Sequence, residues 1–523
     1  MIKPSAIFKN GMVLQRNSRV AIFGETDCNH IEISFDGKVY EANINENKWI
    51  AHIPTKESVA PLSMVISGTD NQDEIIIEDI LLGEVWLAGG QSNMELELQN
   101  SENGIKVMGE AEYDRIRFYN VPKYQLVDEE LERLEEYTSW RCVRSGSCAD
   151  MSAVAYYFAT KLYEQLNVPI GIIDCYWGGT SATCWVDAKA LKDVPKVQDY
   201  LSDWDAIING KTDEEYDREL TDYNNAVNKW QSIVDELKAK NPEVEWDIIN
   251  MKVGDYPWPP PKGRKSPFRP FGLHNSMVAR ITPYTVRGAI YYQGEEDAER
   301  ADYYSVLNTA VINQWRNDFT NPDMPFFITQ LPMFIAKGAD DDGQWGVLRL
   351  EQEKCSIIND NVGIAVITDC GEFDNIHPID KKTPGLRLAG QVLANVYKAS
   401  DFYSNMKAVN ARFNENICEI LLDNTYGELH YRKSDGNVLT AKNEDLILEN
   451  GIDNSGNIFG FEVVNEEGKV YKPQIEISGE MIRLIGEEGD CIKSARYAMF
   501  NYGVANMYNK HGLPLMPFEL LNK

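Results

Sequence analysis

The first 80 residues alternate apolar and polar positions in short bursts. Runs at 20–23, 30–35, 38–44, 64–66 and 74–77 are rich in β-branched residues and are parted by Gly, Asn and Asp. That period of two, with Asp36-Gly37 as a hairpin turn between two of the runs, predicts a β region over 1–80. Beyond it the period changes. A buried strand at 83–88 is followed by a helical stripe at 155, 158, 159, 162 and 166, and then by a strand near 168–174. The alternation continues through 287–292 (strand), 301–319 (helix), 325–330 (strand), 348–358 (helix) and 362–368 (strand). It closes with a helix whose cap is Thr383, with Pro384 at the first helical position, running to about 400. Strand–helix alternation is the mark of a parallel sheet covered by helices, so 81–400 reads as an α/β domain. From 401 to 523, short strands at 417–422, 463–464 and 473–477 form a second β region.

The α/β pattern is interrupted between about 190 and 270. Residues 216–240 are charged with a thin apolar stripe, which predicts a helix facing solvent. The loop Pro257-Trp258-Pro259-Pro260-Pro261 and a basic stretch at 262–269 follow. The loop reads either as a roof over a substrate cleft, with Trp258 as a cleft residue, or as a plain connector.

Composition narrows the function classes. At 523 residues the chain is too long for one compact core, and two or three domains are expected. Acidic residues number 81 against 51 basic ones, a net charge of −30 that repels phosphate backbones and anionic lipid. Nucleic acid and membrane are therefore poor partners. Apolar runs such as 153–159 fall well short of the roughly 20 residues that cross a bilayer. Nine cysteines form no C-x-x-C pair, which suggests neither a zinc site nor a disulfide framework but core residues of a reducing compartment. The start lacks a basic segment followed by an apolar core, so a cytoplasmic address is expected, or a secreted one if a leader has been removed.

Candidate chemistry concentrates in two places. In 83–94 a buried strand ends at Gly89-Gly90 and delivers Gln91-Ser92-Asn93 to the carboxyl edge of the sheet, where open α/β sheets bind ligands. A serine past such a turn exposes a nucleophile beside free amides, or merely caps a helix. The pattern is not the G-x-S-x-G elbow. A serine nucleophile needs a base, and of six histidines only His274 and His377 fall within the α/β region. His377 lies just past the last strand, three residues after Asp374, which is suited to orient its ring. A surface loop is the alternative. His274 reads as a packing or cleft residue. Gln293, at the end of another strand, is either an oxyanion donor or a polar strand cap. Glu295 is open between orienting the base and bracing the loop.

These pieces resemble the sialate O-acetylesterase family, within the SGNH-type (GDSL-like) hydrolases. Asn10 to Arg16 and Gly83 to Met94 resemble its opening and nucleophile blocks. Tyr176-Trp177-Gly178-Gly179-Thr180 through Trp185 resembles the second block, and Asn275-Ser276-Met277 with Arg287 to Glu295 the third. Asp374-Asn375-Ile376-His377-Pro378 resembles the last. Ala495 to Ala498, Asn506 to Asn509 and Gly512 to Pro514 resemble its C-terminal signature. The order and spacing match nearly end to end.

The resemblance implies an SGNH-type parallel-sheet core with additional jelly-roll-like β regions. It also implies an esterase acting on acetylated sugars: O-acetylated sialic acids, or plant fragments such as xylo-oligosaccharides. Carried over by residue, it makes Ser92 the nucleophile, His377 the base and Asp374 the orienting acid. The oxyanion hole falls to the amides of Ser92 and Gly179 and the side chain of Gln293, with Gly178 a competing donor. Asn93, Glu295, Trp258 and His274 are expected near the cleft. Glu296 stands where the family commonly has Ser, which bears on substrate preference. No metal or organic cofactor is expected. A catalytically silent carbohydrate-binding protein and a metal-dependent hydrolase remain as rivals.

Overall fold

The computed structural model describes residues 1–523 except 59, 69–73, 193, 242–243, 245, 255, 428, 435–448, 451–457 and 523. Its central sheet contains six parallel strands: β1 (Glu74–Gly90), β2 (Glu112–Asn120), β3 (Ile170–Tyr176), β4 (Gly288–Tyr292), β5 (Phe326–Thr329) and β6 (Val362–Ala365). Their spatial order is β2-β3-β1-β4-β5-β6, with Arg141–Arg144 antiparallel on the β2 edge. The chain leaves β1 on one side for β2 and β3, then crosses to the other side for β4. The strand order therefore reverses at β1, and the crevice above its carboxyl end is the topological switch point. β2 lies between 95 and 150, where no element is expected from the sequence.

The strand expected at 83–88 and the one expected at 74–77 are a single 17-residue strand. Its first half pairs antiparallel with Leu62–Gly68 of the N-terminal region, and its second half is the centre of the parallel sheet. The expected boundary at residue 80 thus falls inside a continuous strand. Along it, Val85 and Leu87 enter the core shared with the N-terminal region, whereas Trp86 and Ala88 enter the core on the other face. The period of two dictates this division.

The helices α1 (Ala153–Leu166), α2 (Asp213–Lys240), α3 (Tyr304–Asp318), α4 (Gln344–Ile358) and α5 (Lys382–Asn395) follow the predicted stretches closely. α1 is capped by Ser152, whose side chain accepts from Ala155 N. α2 is held by a capping box of Thr212 and Glu215, which the sequence reading overlooked, and buries only a few apolar groups such as Trp230 and Val234. At α5 the predicted cap moves. The helix begins before Thr383, and the Asp380 carboxylate accepts from Thr383 N at 3.0 Å. α1 and α5 pack side by side on one face of the sheet, while Leu307, Val311, Ile312 and Trp315 of α3 pack on the other. The C-terminal strands form smaller antiparallel sheets around their own core. Among the described residues, no helix is long and apolar enough to cross a membrane.

One ion pair fastens three of these layers. Arg387 of α5 donates to both Asp369 oxygens at 2.5 and 2.8 Å, and Tyr508 of the C-terminal region adds its hydroxyl at 3.2 Å. Burial opposes the charge on Asp369, but the guanidinium beside it holds the carboxyl below its ordinary range. Removing one partner leaves the other charged and dry. Arg387→Met should therefore lower stability in urea unfolding by about 3–5 kcal/mol, and adding Asp369→Asn should recover part of that loss.

Candidate active site

The carboxyl edge at the switch point is assembled by backbone contact. Gly90, Tyr176 and Tyr292 are in register across β1, β3 and β4. Gly90 has φ +132°, and a Cβ there would lie 2.1 Å from the Tyr292 carbonyl, so only glycine lets β1 turn at this point. Gln91 N then donates to Tyr292 O at 3.0 Å, and Ser92 opens a single helical turn, Ser92–Glu95.

The structure brings Ser92 and His377 together: Ser92 Oγ lies 2.8 Å from His377 Nε2 across a separation of 285 residues. With Nε2 unprotonated, the serine hydroxyl donates to it. Burial, then the positive charge of Lys381, pushes the imidazole down to about 4, so the ring is neutral at physiological pH.

Asp374 is not brought to this pair. Its φ is +56°, and its carboxylate accepts from Lys337 N at 2.8 Å. Among the described residues no hydrogen bond joins it to His377. The loop is braced instead by its neighbours. Asn375 Oδ1 accepts from His377 N at 3.0 Å, and the Glu372 carboxylate accepts from Asn375 Nδ2 and Ile379 N. The proximity of Asp374 in sequence suggested a pairing that the left-handed turn directs elsewhere.

Beyond β3, the two glycines differ. Gly178 N donates to the Glu95 carboxylate at 2.5 Å, and a Cβ on Gly178 would lie 3.2 Å from Ser92 Cβ. Gly179 N and Ser92 N make no hydrogen bond among the described residues. Gly179 has φ +69°, and a Cβ there would lie 2.2 Å from the Trp258 ring. Trp258 is half exposed and packs edge-on against Phe268, so this residue of the Pro-rich loop lies between Gly179 and Phe268.

Gln293 is fully buried and already engaged. Its Nε2 has Asp297 Oδ2 at 2.6 Å, Thr180 O at 3.1 Å and Gln91 Oε1 at 3.2 Å, three acceptors for two hydrogens. Tyr304 donates to its Oε1 at 2.7 Å. Asp297 in turn receives Ser181 Oγ and Ala182 N. This cluster locks the second block to the end of β4.

Asn93 and Glu295 are buried beneath the pair rather than lining an open cleft. Asn93 Nδ2 donates to Glu295 Oε1 at 2.5 Å and to Ile376 O at 2.9 Å, while its Oδ1 accepts from Lys381 Nζ at 2.7 Å. Burial pushes Glu295 up to about 6 and Lys381 down to about 8. Lys381 was not anticipated. In Asp380-Lys381-Lys382 it looks like a surface charge, and no pattern in the sequence separates it from its neighbour.

His274 lies elsewhere. Its Nε2 is 2.8 Å from Asp318 Oδ2, at the C-terminal end of α3. No hydrogen bond among the described residues joins His274 to Ser92 or His377. Among the described residues, the grouping able to hold a metal ion is His30, Glu32 and Glu41 on a hairpin of the N-terminal region.

A neutral base beside a serine makes that serine reactive. A fluorophosphonate probe should label Ser92. Labelling requires unprotonated His377, so it should persist through pH 5 and be lost as pH falls through about 4. Ser92→Ala and His377→Ala should both abolish labelling in mass spectrometry.

Residues 266–399 match the family described as carbohydrate esterase, sialic acid-specific acetylesterase. The sialate O-acetylesterase of Mus musculus is 26% identical over 377 residues, covering 67% of this chain and 64% of that protein. That of Rattus norvegicus is 27% identical over 380 residues, with the same 67% and 64% coverage. The chain thus spans 64% of the length of these relatives. A crystal structure of a carbohydrate acetylesterase from Xanthomonas citri has the same overall fold, with a TM-score of 0.75, 23% identity and 100% of both chains covered. In its motifs and over 266–399 the chain is similar to the sialate O-acetylesterase family of carbohydrate esterases.

Proposed function

We propose that the chain is a carbohydrate O-acetylesterase, a carboxylic ester hydrolase in which Ser92 is the nucleophile and His377 its general base. The 2.8 Å contact between Ser92 Oγ and His377 Nε2 at the switch point carries this reading. On this reading the central domain is an SGNH-type core with jelly-roll-like β regions at either end. Both O-acetylated sialic acids and O-acetylated neutral oligosaccharides, such as xylo-oligosaccharides, are candidate substrates. The net charge of −30 and the engagement of Lys123 by Glu95 favour the neutral class.

In the first step Ser92 Oγ attacks the acetyl carbonyl and its proton passes to His377 Nε2. The Ser92 and Gly179 amides receive the oxyanion, because Gly178 N is held by Glu95. Gln293 serves the hole indirectly by holding Thr180 and Gln91 in place. Collapse of the tetrahedral intermediate breaks the bond to the sugar oxygen, which takes the proton from His377 and leaves as the hydroxyl. Water, deprotonated by the same ring, then releases acetate and restores Ser92. Asp374 has no direct part in this scheme.

Acetate release from a panel of acetylated sialosides and xylo-oligosaccharides tests the reading and selects the class. Ser92→Ala should lower kcat by about 10⁶-fold. Asp374→Asn should cost far less than the roughly 10⁴-fold loss expected when a histidine-bonded aspartate is removed. Turnover should survive EDTA. Activity that vanishes with EDTA yet survives in Ser92→Ala would sink the serine mechanism in favour of a metal hydrolase, and a folded chain inert on the whole panel would favour a silent binder.

A further inference from the structure

Among the described residues no carboxylate is hydrogen-bonded to the ring of His377, and four residues further on its loop carries a buried cation, Lys381. Lys381 is 1% exposed and lies immediately before the first turn of α5. An ammonium there is doubly disfavoured, by lost hydration and by the positive end of the helix. Two hydrogen bonds and an aromatic ring offset that cost. Its Nζ donates to Asn93 Oδ1 at 2.7 Å and to Pro378 O at 2.5 Å, and lies 5.7 Å from the centre of the Tyr292 ring. Asn93 follows the nucleophile directly, and Pro378 follows the base directly.

We propose, resting on the esterase reading, that Lys381 is a positioning residue which ties the histidine loop to the nucleophile turn through Asn93 and Pro378. The carboxylates on the elements around the ring hydrogen-bond to other groups rather than to the imidazole. On its own loop Glu372 holds Asn375 and Ile379, Asp374 holds Lys337 N, and Asp380 holds Thr383 N. On the nucleophile turn Glu95 holds Gly178 N and Lys123, and past β4 Glu295 holds Asn93. Burial and then the positive charge of Lys381 hold the His377 imidazole down. The lysine thus does two things through one atom. It sets the approach of Nε2 to Oγ, and it makes imidazolium harder to form, so the base stays available at lower pH.

The test is the pH profile of 4-nitrophenyl acetate hydrolysis by the full chain. The wild type should lose kcat/KM as pH falls through about 4. Lys381→Met should move that acid limb upward by about one pH unit, towards the ordinary histidine value, and lower plateau kcat about tenfold with little change in KM. Lys381→Arg keeps the charge and should keep the limb where it is while kcat falls. If the methionine variant does not fold, Lys381→Gln retains a donor for Asn93, removes the charge and reads the same limb. A folded neutral variant whose acid limb coincides with the wild type would overturn the role. A wild-type chain without turnover would remove the esterase reading, and this role with it.

Discussion

At Gly90 the central strand passes so close to the Tyr292 carbonyl that there is no room for a side chain. Everything at the site follows from that contact. It lets β1 end and turn within one residue at the switch point, where the strands on either side belong to different halves of the sheet. The turn therefore opens into a crevice with a wall from β3 on one side and from β4 on the other. Ser92, two residues past this contact, opens the helical turn at the mouth of that crevice.

The crevice keeps its shape through buried polar contacts rather than apolar filling. Gln91, Gln293 and Asp297 link the ends of β1 and β4 to the second block, and Asn93, Glu295 and Lys381 link the nucleophile turn to the histidine loop. Each group is dry, so each costs free energy unless its partners are present. Such networks admit few alternative arrangements, which suits a site where a tenth of a nanometre decides proton transfer. The same dryness shifts the titration of its members: His377 and Lys381 are pushed down, and Glu295 up.

Much of this was legible in the chain. Periodicity announced a parallel sheet with β regions on both sides, because residue period follows backbone geometry and needs no neighbours. The Gly89-Gly90 turn with Ser92, the scarcity of histidine and the placement of His377 past the last strand singled out the two residues that the fold joins at 2.8 Å. Each of these inferences concerns local backbone shape or the number of available chemical groups, and both are written in the order of residues.

What the chain order did not contain was direction. Asp374 stands three residues from His377, yet a left-handed φ turns its carboxylate to Lys337. His274 falls inside the α/β region, but its ring pairs with Asp318 of α3 and not with Ser92. Gln293 ends the right strand at the right edge, but Asp297 and Thr180 claim its amide. Lys381 reads as a surface charge until α5 docks and encloses it. Sequence determined which elements form and which reactive groups exist, since those depend on local sterics and composition. Which way each side chain faces, and which charge is left in a dry environment, was decided only when segments distant in the chain packed together.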